Sequence, residues 1–392
     1  MKKKFTVAVF ITKRENQFAG VSLLGRTAYE HLKYGLKENE FLSVAEVENP
    51  NGADYTDGAS YKAKDTDGAK DAASANRNGS GIADINYNAD NAAETACGAD
   101  YIVRLYSDMP LVTGEGLFAV VNSMNARGID SLRLGEAHIF KRNRGGAERG
   151  MRGADDNFLS LDDGFSLVKA LGLLRRRVLA GLIAGGVMLY DIDTVSIDCR
   201  AVIKKGAVIH PFNVIRGECV IGDGARIESG CIIENAEIGD NTVVCQSNLF
   251  DCRVGKNCAV GPFATLRAGA DIGDGCRIGD FVEIKKSTVG DGVKVAHLAY
   301  IGDAEVGEAS NIGCGTVFAN YNGKIKQKTT VGKNVFVGAN ANLVAPLTIG
   351  DNSFIAAGST ITQNIPENAF SIAREKQVVK KDYAKKYRGI HS

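Results

Sequence analysis

The sequence lacks an excess of either charge, a long apolar run and a close pair of cysteines, and each absence argues against a class of function. Lys and Arg number 47 against 46 Asp and Glu. Without a global basic field, nucleic acid is not the expected partner. No stretch approaches the roughly 18 consecutive apolar residues that a spanning helix needs, so no membrane partner is expected. The opening MKKKFTVAVFITKREN is basic at its start, but its apolar run is short and no small-residue cleavage site follows. It reads as a first strand rather than a signal peptide, and the expected location is cytoplasmic. The nine cysteines are odd in number and contain no C-x-x-C spacing. That argues against both a disulfide framework and a structural zinc site.

What is present is a chain of 392 residues, 44% hydrophobic and 24% charged, long enough for two domains with their own cores. Its second half repeats. Ile197, Ile203, Ile209, Ile215, Ile221, Ile227 and Ile233 fall at an unbroken spacing of six. Val254, Val260, Leu266, Ile272, Ile278 and Ile284 follow, and Val331, Val337, Leu343, Ile349, Ile355 and Ile361 close the series. A period of six fits neither the 3.6 of a helix nor a plain alternating strand, but it fits a solenoid whose every side is one short strand and one turn. The turns read IGDG, IGDN and VGKN, with Gly and Asp or Asn supplying tight backbone. Three such sides close one coil with the aliphatic residues stacked inside. Cys219, Cys231, Cys252, Cys258 and Cys276 each stand two residues before an aliphatic position, where a small packing side chain is wanted.

This pattern resembles the left-handed parallel β-helix of the hexapeptide-repeat acyltransferases. The segments GPFATLRAGADIG, GDFVEIKKSTVG, AHLAYIGDAEVG, NIGCGTVFANYNG, FVGANANLVAPLTIG and AAGSTITQNIPENAFSIAR make the resemblance narrower. Together they are similar to the acetyltransferase half of the bifunctional N-acetylglucosamine-1-phosphate uridylyltransferase and glucosamine-1-phosphate acetyltransferase family, from about Ala170 to Arg374. The resemblance implies acetyl-CoA as cosubstrate, an amino sugar 1-phosphate as acceptor and a homotrimer with sites shared between neighbours.

The residues themselves raise one question, which is why a histidine interrupts a stack of aliphatics at VAHLAYIGD. The spacing slips from Ile284 to Val289 and from Ile301 to Val306, and a non-repeating loop runs from Asn320 to Thr330. Broken periods in a solenoid mark residues held for something other than stacking. His297 lies in this region. An imidazole titrates near pH 6.5, so it suits the removal of a proton from an amine, while the plain alternative is a core histidine. The resemblance favours the first, since the family's general base aligns with His297 and not with His210, which is expected to be structural.

The resemblance further implies phosphate and sugar contacts at Arg267, Lys285 and Lys326, hydrogen bonds from Tyr300 and Asn311, and a positioning role toward sugar or histidine for Glu283. A guanidinium fork and mobile ammonium groups suit a sugar phosphate. Cys314, Asn320, Tyr321, Ala339, Ala357 and Arg374 match positions that line the acetyl-CoA groove. Cys314 stands where many members have alanine and Ala339 where they often have serine. The second exchange removes a hydrogen bond worth about 0.5–1.5 kcal/mol. The family transfers acetyl directly to the amine, so Cys314 is not expected to be a nucleophile.

The first half reads as an α/β sheet, with FTVAVFIT a strand, LLGRTAYEHLKYGL an amphipathic helix, and ADYIVRLYSDMPLVTGEGLFAVVNSM a strand, loop and helix. YSDMPL resembles the nucleotidyltransferase motif in which an aspartate holds magnesium, making Asp108 a candidate ligand, with Asp162 in SLDDGFSLV as the second. Where the family carries a glycine-rich loop to cradle nucleotide phosphates, this chain has KRENQFAGVS. Uridylyl transfer is therefore expected to be absent or very weak. The expected domains are a reduced nucleotidyltransferase-like unit over 1–164 with a flexible insertion over 48–100, a linking helix over 165–190, the β-helix over 191–374 and a basic tail over 375–392. Three functions stay open: acetylation of glucosamine 1-phosphate or another amino sugar 1-phosphate, that activity with uridylyl transfer retained, and a carbonic anhydrase or plain scaffold. A zinc site of the anhydrase kind needs three histidines, and the solenoid holds two in unrelated settings.

Overall fold

A computed structural model of the chain describes residues 7–12, 23–24, 26–36, 42–48, 62–64, 99–106, 108–135, 137–141, 150–153, 155–381 and 383–384. The chain divides into two units, Met1–Val178 and Leu179–Ser392.

The first unit is built on one sheet. Its strands are β1 Val7–Thr12, β2 Leu42–Glu48, β3 Lys62–Lys64, β4 Tyr101–Tyr106, β5 Ser131–Leu134, β6 Ala137–Lys141 and β7 Gly150–Gly153. They lie in the order β3-β2-β1-β4-β6-β5-β7, with β2, β1 and β4 parallel and β6 antiparallel to β4. Alternation explains the core: Val7, Val9 and Ile11 on β1 and Tyr101, Val103 and Leu105 on β4 are buried with Leu117, Val121 and Met124 of the helix Gly114–Arg127. That helix starts where Thr113 accepts the Gly116 N–H and ends at Gly128, whose φ of 65° is a left-handed stop that glycine adopts without strain. The helix Ala28–Leu36 begins with a capping box, in which Thr27 Oγ1 accepts from Glu30 N and Glu30 Oε2 accepts from Thr27 N. The expected strand, helix and strand–loop–helix of this half are all present. The stretch KRENQFAGVS and, apart from β3, the insertion from residue 49 to residue 98 lie outside the described residues.

The long helix Gly164–Ala184 opens on Asp163, whose carboxylate accepts the Ser166 N–H at 2.7 Å. It ends earlier than the apolar run that continues to Leu189. Gly186 has a φ of 91°, and Gly186 N and Val187 N donate to Ile183 O and Leu182 O, so the turn closes there. Met188–Leu189 is already a strand of the solenoid.

The solenoid of the second unit is the period of six made solid. Each side of a coil contributes one short strand, and among the described residues the strands stack in three parallel sheets of 10, 9 and 11 strands. Sheet I begins with Ser196–Ile197, sheet II with Val202–Ile203 and sheet III with Met188–Leu189. Equivalent residues register directly: Ile215 pairs Ile233, Ile233 pairs Leu249, Leu249 pairs Leu266, Leu266 pairs Ile284 and Ile284 pairs Ile301. All are fully buried. Each such side chain contributes about 1.5–3 kcal/mol by leaving water, so the stack holds the coils without help from the polar outer faces. Cys219, Cys231, Cys252, Cys258 and Cys276 are buried in the same interior. Burial pushes the Cys231 thiol up to about 11 and the Cys252 thiol up to about 12, so these are packing groups rather than reactive ones.

The slips in period are shortened coils. Lys256 bonds Asp274 across 18 residues, a regular coil, whereas His297 bonds Asp280 across 17. Val335 bonds Ser310 across 25, the extra length being the Asn320–Thr330 loop.

Candidate active site

His297 ends the sheet III strand Lys294–His297, at the corner where the chain turns into sheet I. The residue after it, Leu298, has a φ of 39°, and the equivalent residue one coil earlier, Phe281, has a φ of 56°. These left-handed positions turn the chain and leave the side chains before them, His297 and Asp280, side by side. His297 Nδ1 lies 2.5 Å from Asp280 Oδ1, and the two are paired in register. The approach is possible because Gly279 has no side chain: a Cβ there would come within 2.6 Å of the Ala296 carbonyl carbon and closer still to its oxygen. The imidazole is 53% exposed, so a small substrate can reach it. The hydrogen bond from His297 holds the Asp280 carboxyl below the usual carboxylate range and keeps it ionised at neutral pH.

The same corner continues upward as a straight line of small residues. Gly315 N donates to Leu298 O, Asn340 N to Cys314 O and Gly358 N to Ala339 O. Cys314, Ala339 and Ala357 therefore follow His297 at one position per coil. Cys314 is exposed. Arg374 stands beside the end of this line, its Cδ being the atom nearest a Cβ built on Gly358.

A second group stands on the outer face of sheet I. Glu283 and Lys285 flank the buried Ile284, and Thr265 pairs Glu283 while Glu283 pairs Tyr300. Arg267 Nη1 donates to Glu283 Oε1 at 2.7 Å, with both side chains more than a third exposed. Lys285 pairs Gly302. Asn320 Nδ2 donates to Asp303 Oδ2 at 2.5 Å and, at 3.5 Å, to the Tyr300 hydroxyl. A Cβ on Gly302 would lie 2.7 Å from Tyr300 Cζ and 2.8 Å from Asn320 Nδ2, so this glycine is what lets the tyrosine fold back over the strand.

Two further residues stand beside these groups. Asn311 is on sheet III, paired with Lys294. Lys326 sits in the Asn320–Thr330 loop, bridged to Tyr321, and lines a groove of about 470 Å³ with Lys286, Thr288, Glu305 and Lys328. The loop is ordered by its own chain: Tyr321 donates its hydroxyl hydrogen to Gly323 O and Asn322 Oδ1 accepts from Lys324 N and Ile325 N. His210 stacks on Tyr190 at 4.7 Å and faces Glu228 at 3.4 Å, far down the solenoid from His297.

In the first unit, Leu161 N donates to Asp108 O at 3.2 Å, which brings the Asp108 turn beside the segment carrying Asp162. Asp108 is buried. The helix cap falls to Asp163, and Asp162 N donates to Ser166 Oγ. Two carboxylates suit magnesium only together with substrate phosphates, and among the described residues no group of three His, Cys, Asp or Glu is assembled. No described helix is long and apolar enough to cross a membrane.

The sequence reading missed Asp280. It looked to Glu283 for a carboxylate near the histidine, but Glu283 is engaged by Arg267. The available signal was an aspartate one shortened coil, 17 residues, before His297.

The repeats and the three-sided solenoid define the fold: a parallel β-helix of hexapeptide repeats. The family of bacterial transferase hexapeptide repeats matches residues 251–286 and 328–363, and that of the GMPPB C-terminal domain matches 192–267. More particularly, over somewhat more than half of its length the chain is similar to the bifunctional protein GlmU. It is 42% identical over 228 residues to that of Brevibacillus brevis, which is 58% of this chain and 50% of that one. It is 46% identical over 220 residues to that of Clostridium kluyveri, 56% and 48% of the two chains, and 45% identical over 228 residues to that of Listeria welshimeri, 58% and 50%. The chain thus spans about half the length of these relatives.

Proposed function

We propose that this chain is an acetyl-CoA-dependent N-acetyltransferase that converts glucosamine 1-phosphate to N-acetylglucosamine 1-phosphate, as a cytoplasmic step toward UDP-N-acetylglucosamine. The observation that carries the proposal is the exposed His297 between a line of small residues and a cationic sheet face, in a chain 42% identical over 228 residues to a bifunctional GlmU. His297 takes the proton that the amine loses as its nitrogen attacks the thioester carbonyl. The carbon–sulfur bond then breaks, and the coenzyme leaves as a thiol after receiving that proton. A base of this kind contributes about 10²–10⁴ in rate. Arg267 and Lys285 hold the phosphate and Tyr300 the sugar. The corner line of Cys314, Ala339 and Ala357, with Asn320, Tyr321 and Arg374, carries the coenzyme.

Asn311 adds a hydrogen bond to the substrates, and Lys326 belongs to a neighbouring copy's site in a homotrimer. What supports the second is its position, since Lys326 stands on the Asn320–Thr330 loop rather than at the His297 corner or on the Arg267 face of its own chain. Asp108 and Asp162 would hold magnesium if a nucleotide supplied the remaining oxygens, and no step of acetyl transfer involves it. Uridylyl transfer is absent or very weak in this proposal, because KRENQFAGVS stands where the phosphate cradle belongs.

The test supplies acetyl-CoA with glucosamine 1-phosphate or galactosamine 1-phosphate and follows free thiol. The first is expected to be the better acceptor, and no thiol release with either would reject the proposal. A parallel reaction of N-acetylglucosamine 1-phosphate, UTP and magnesium is expected to release pyrophosphate orders of magnitude more slowly. Pyrophosphate release at a rate similar to acetyl transfer would establish the bifunctional alternative.

A further inference from the structure

The side chain that fixes His297 is one coil away in the stack, and its partnership has a chemical consequence. We infer that Asp280 is the positioning residue of the acetyl transfer, forming with His297 an aspartate–histidine dyad that selects the ring tautomer. The inference rests on His297 being the base.

An ionised carboxylate only accepts hydrogen bonds. At 2.5 Å from Asp280 Oδ1, His297 Nδ1 must then carry its proton, and the lone pair is left on Nε2, the nitrogen that meets the amine. When Nε2 takes the proton lost by the attacking amine, the ring becomes a cation beside a fixed negative charge. Asp280 stays ionised throughout, and the proton passes on from Nε2 to the departing thiolate, so the ring returns to its starting state.

The geometry is over-determined. Register pairs the two residues, left-handed Phe281 and Leu298 turn the chain directly after them, and Gly279 clears the approach. The obvious competitor is committed elsewhere, since Glu283 accepts from Arg267 at 2.7 Å. The strands packed on either side add few other charges. Arg277 lies on the same strand as Asp280, and its register partner is Lys294 of the histidine's own strand. Above, Asn311 and Ile312 are uncharged and Cys314 follows them. Asp280 is thus the anion at the ring.

The experiment compares Asp280→Asn with His297→Ala in the full chain. Asp280→Asn keeps shape and loses charge. Its kcat should fall by at least about 10-fold and by no more than the 10²–10⁴ expected for losing the base. KM for both substrates should stay within about twofold, because the residue touches neither. The acid limb of the kcat/KM profile should move to lower pH, a change that a purely structural role would not cause. Wild-type kcat with an unmoved profile in a folded Asp280→Asn protein would overturn the dyad while leaving the base in place. Wild-type kcat in His297→Ala would instead overturn the base itself, and the dyad with it. A readout that needs neither turnover nor a folded variant is ¹⁵N NMR of the unsubstituted protein at pH 8. Protonated Nδ1 and bare Nε2 on His297 support the inference, and the reverse pattern refutes it.

Discussion

Gly302→Ala separates the fold from the function more sharply than deletion of any polar group would. Gly302 sits in a strand and its φ is not left-handed, so the backbone itself would accept alanine. The obstacle is space. The new methyl would lie 2.7 Å from Tyr300 Cζ and 2.8 Å from Asn320 Nδ2. Carbon atoms rest at about 3.5–4.0 Å, so the tyrosine ring must retreat by roughly 1 Å. It is on the outer face and half-buried, free to swing toward solvent, while the aliphatic stack beneath at Ile284 and Ile301 is untouched. The cost in stability is therefore held to about 1 kcal/mol, a Tm shift of roughly 2–4 °C. With Tyr300 holding the sugar as proposed, a displacement of that size costs on the order of 10²-fold in kcat/KM. Thermal melting and steady-state kinetics on one preparation give both numbers. A folded Gly302→Ala protein with kcat/KM within twofold of the parent would refute the reasoning, because the position of Tyr300 would then be immaterial to the sugar.

Arg267→Ala removes an ion pair exposed on both sides, so its melting point should move little, while KM for the amino sugar phosphate should rise about tenfold or more. An unaltered KM would put the phosphate elsewhere. In the first unit, burial above all, with Arg133 and Arg104 adding to it, lowers the pKa of His138 to about 4. The unfolded chain binds that proton near pH 6.5, so between about pH 6.5 and 4 the unfolded state holds more protons and stability falls as pH falls. Up to about 3 kcal/mol is lost across the window, measurable as a drop in urea midpoint between pH 7.5 and 5, and His138→Gln should flatten it. An identical drop in the variant would assign the effect to other groups.

The solenoid was legible because its cause is one-dimensional. A spacing of six states which residues point inward and which stack, and Ile215 through Ile301 do so in register. The slips at Val289 and Val306 were legible as departures, and they are the 17-residue coils that carry Asp280 and His297. Periodicity is silent on which outward side chains bond one another. Asp280 and Glu283 are three residues apart and both carboxylates, yet a corner separates them: one precedes the left-handed Phe281 and meets His297, the other follows it and meets Arg267. That choice depends on where the chain turns, and no count of residues contains it. The strand and helix pattern of the first unit was equally plain from FTVAVFIT and YIVRLY, whereas the altered loop KRENQFAGVS lies outside the described residues.

The corner also explains why small residues and a base recur on one line. Successive coils lie about 4.8 Å apart, so Cys314, Ala339 and Ala357 form a line of small side chains that extends roughly 14 Å from His297. In the proposed reaction an extended thiol arm laid along that line would meet His297 at a point fixed by strand pairing rather than by loop conformation. Sheet I turns away from the same corner, and on it Arg267, Lys285 and Tyr300 face outward from a backbone held by buried Ile284 and Ile301. Two substrates approaching along two walls then converge only at the edge between them. In the proposed reaction the rigid coil itself would bring their reacting atoms together, which is the geometric condition for converting a bimolecular acyl transfer into an effectively unimolecular one.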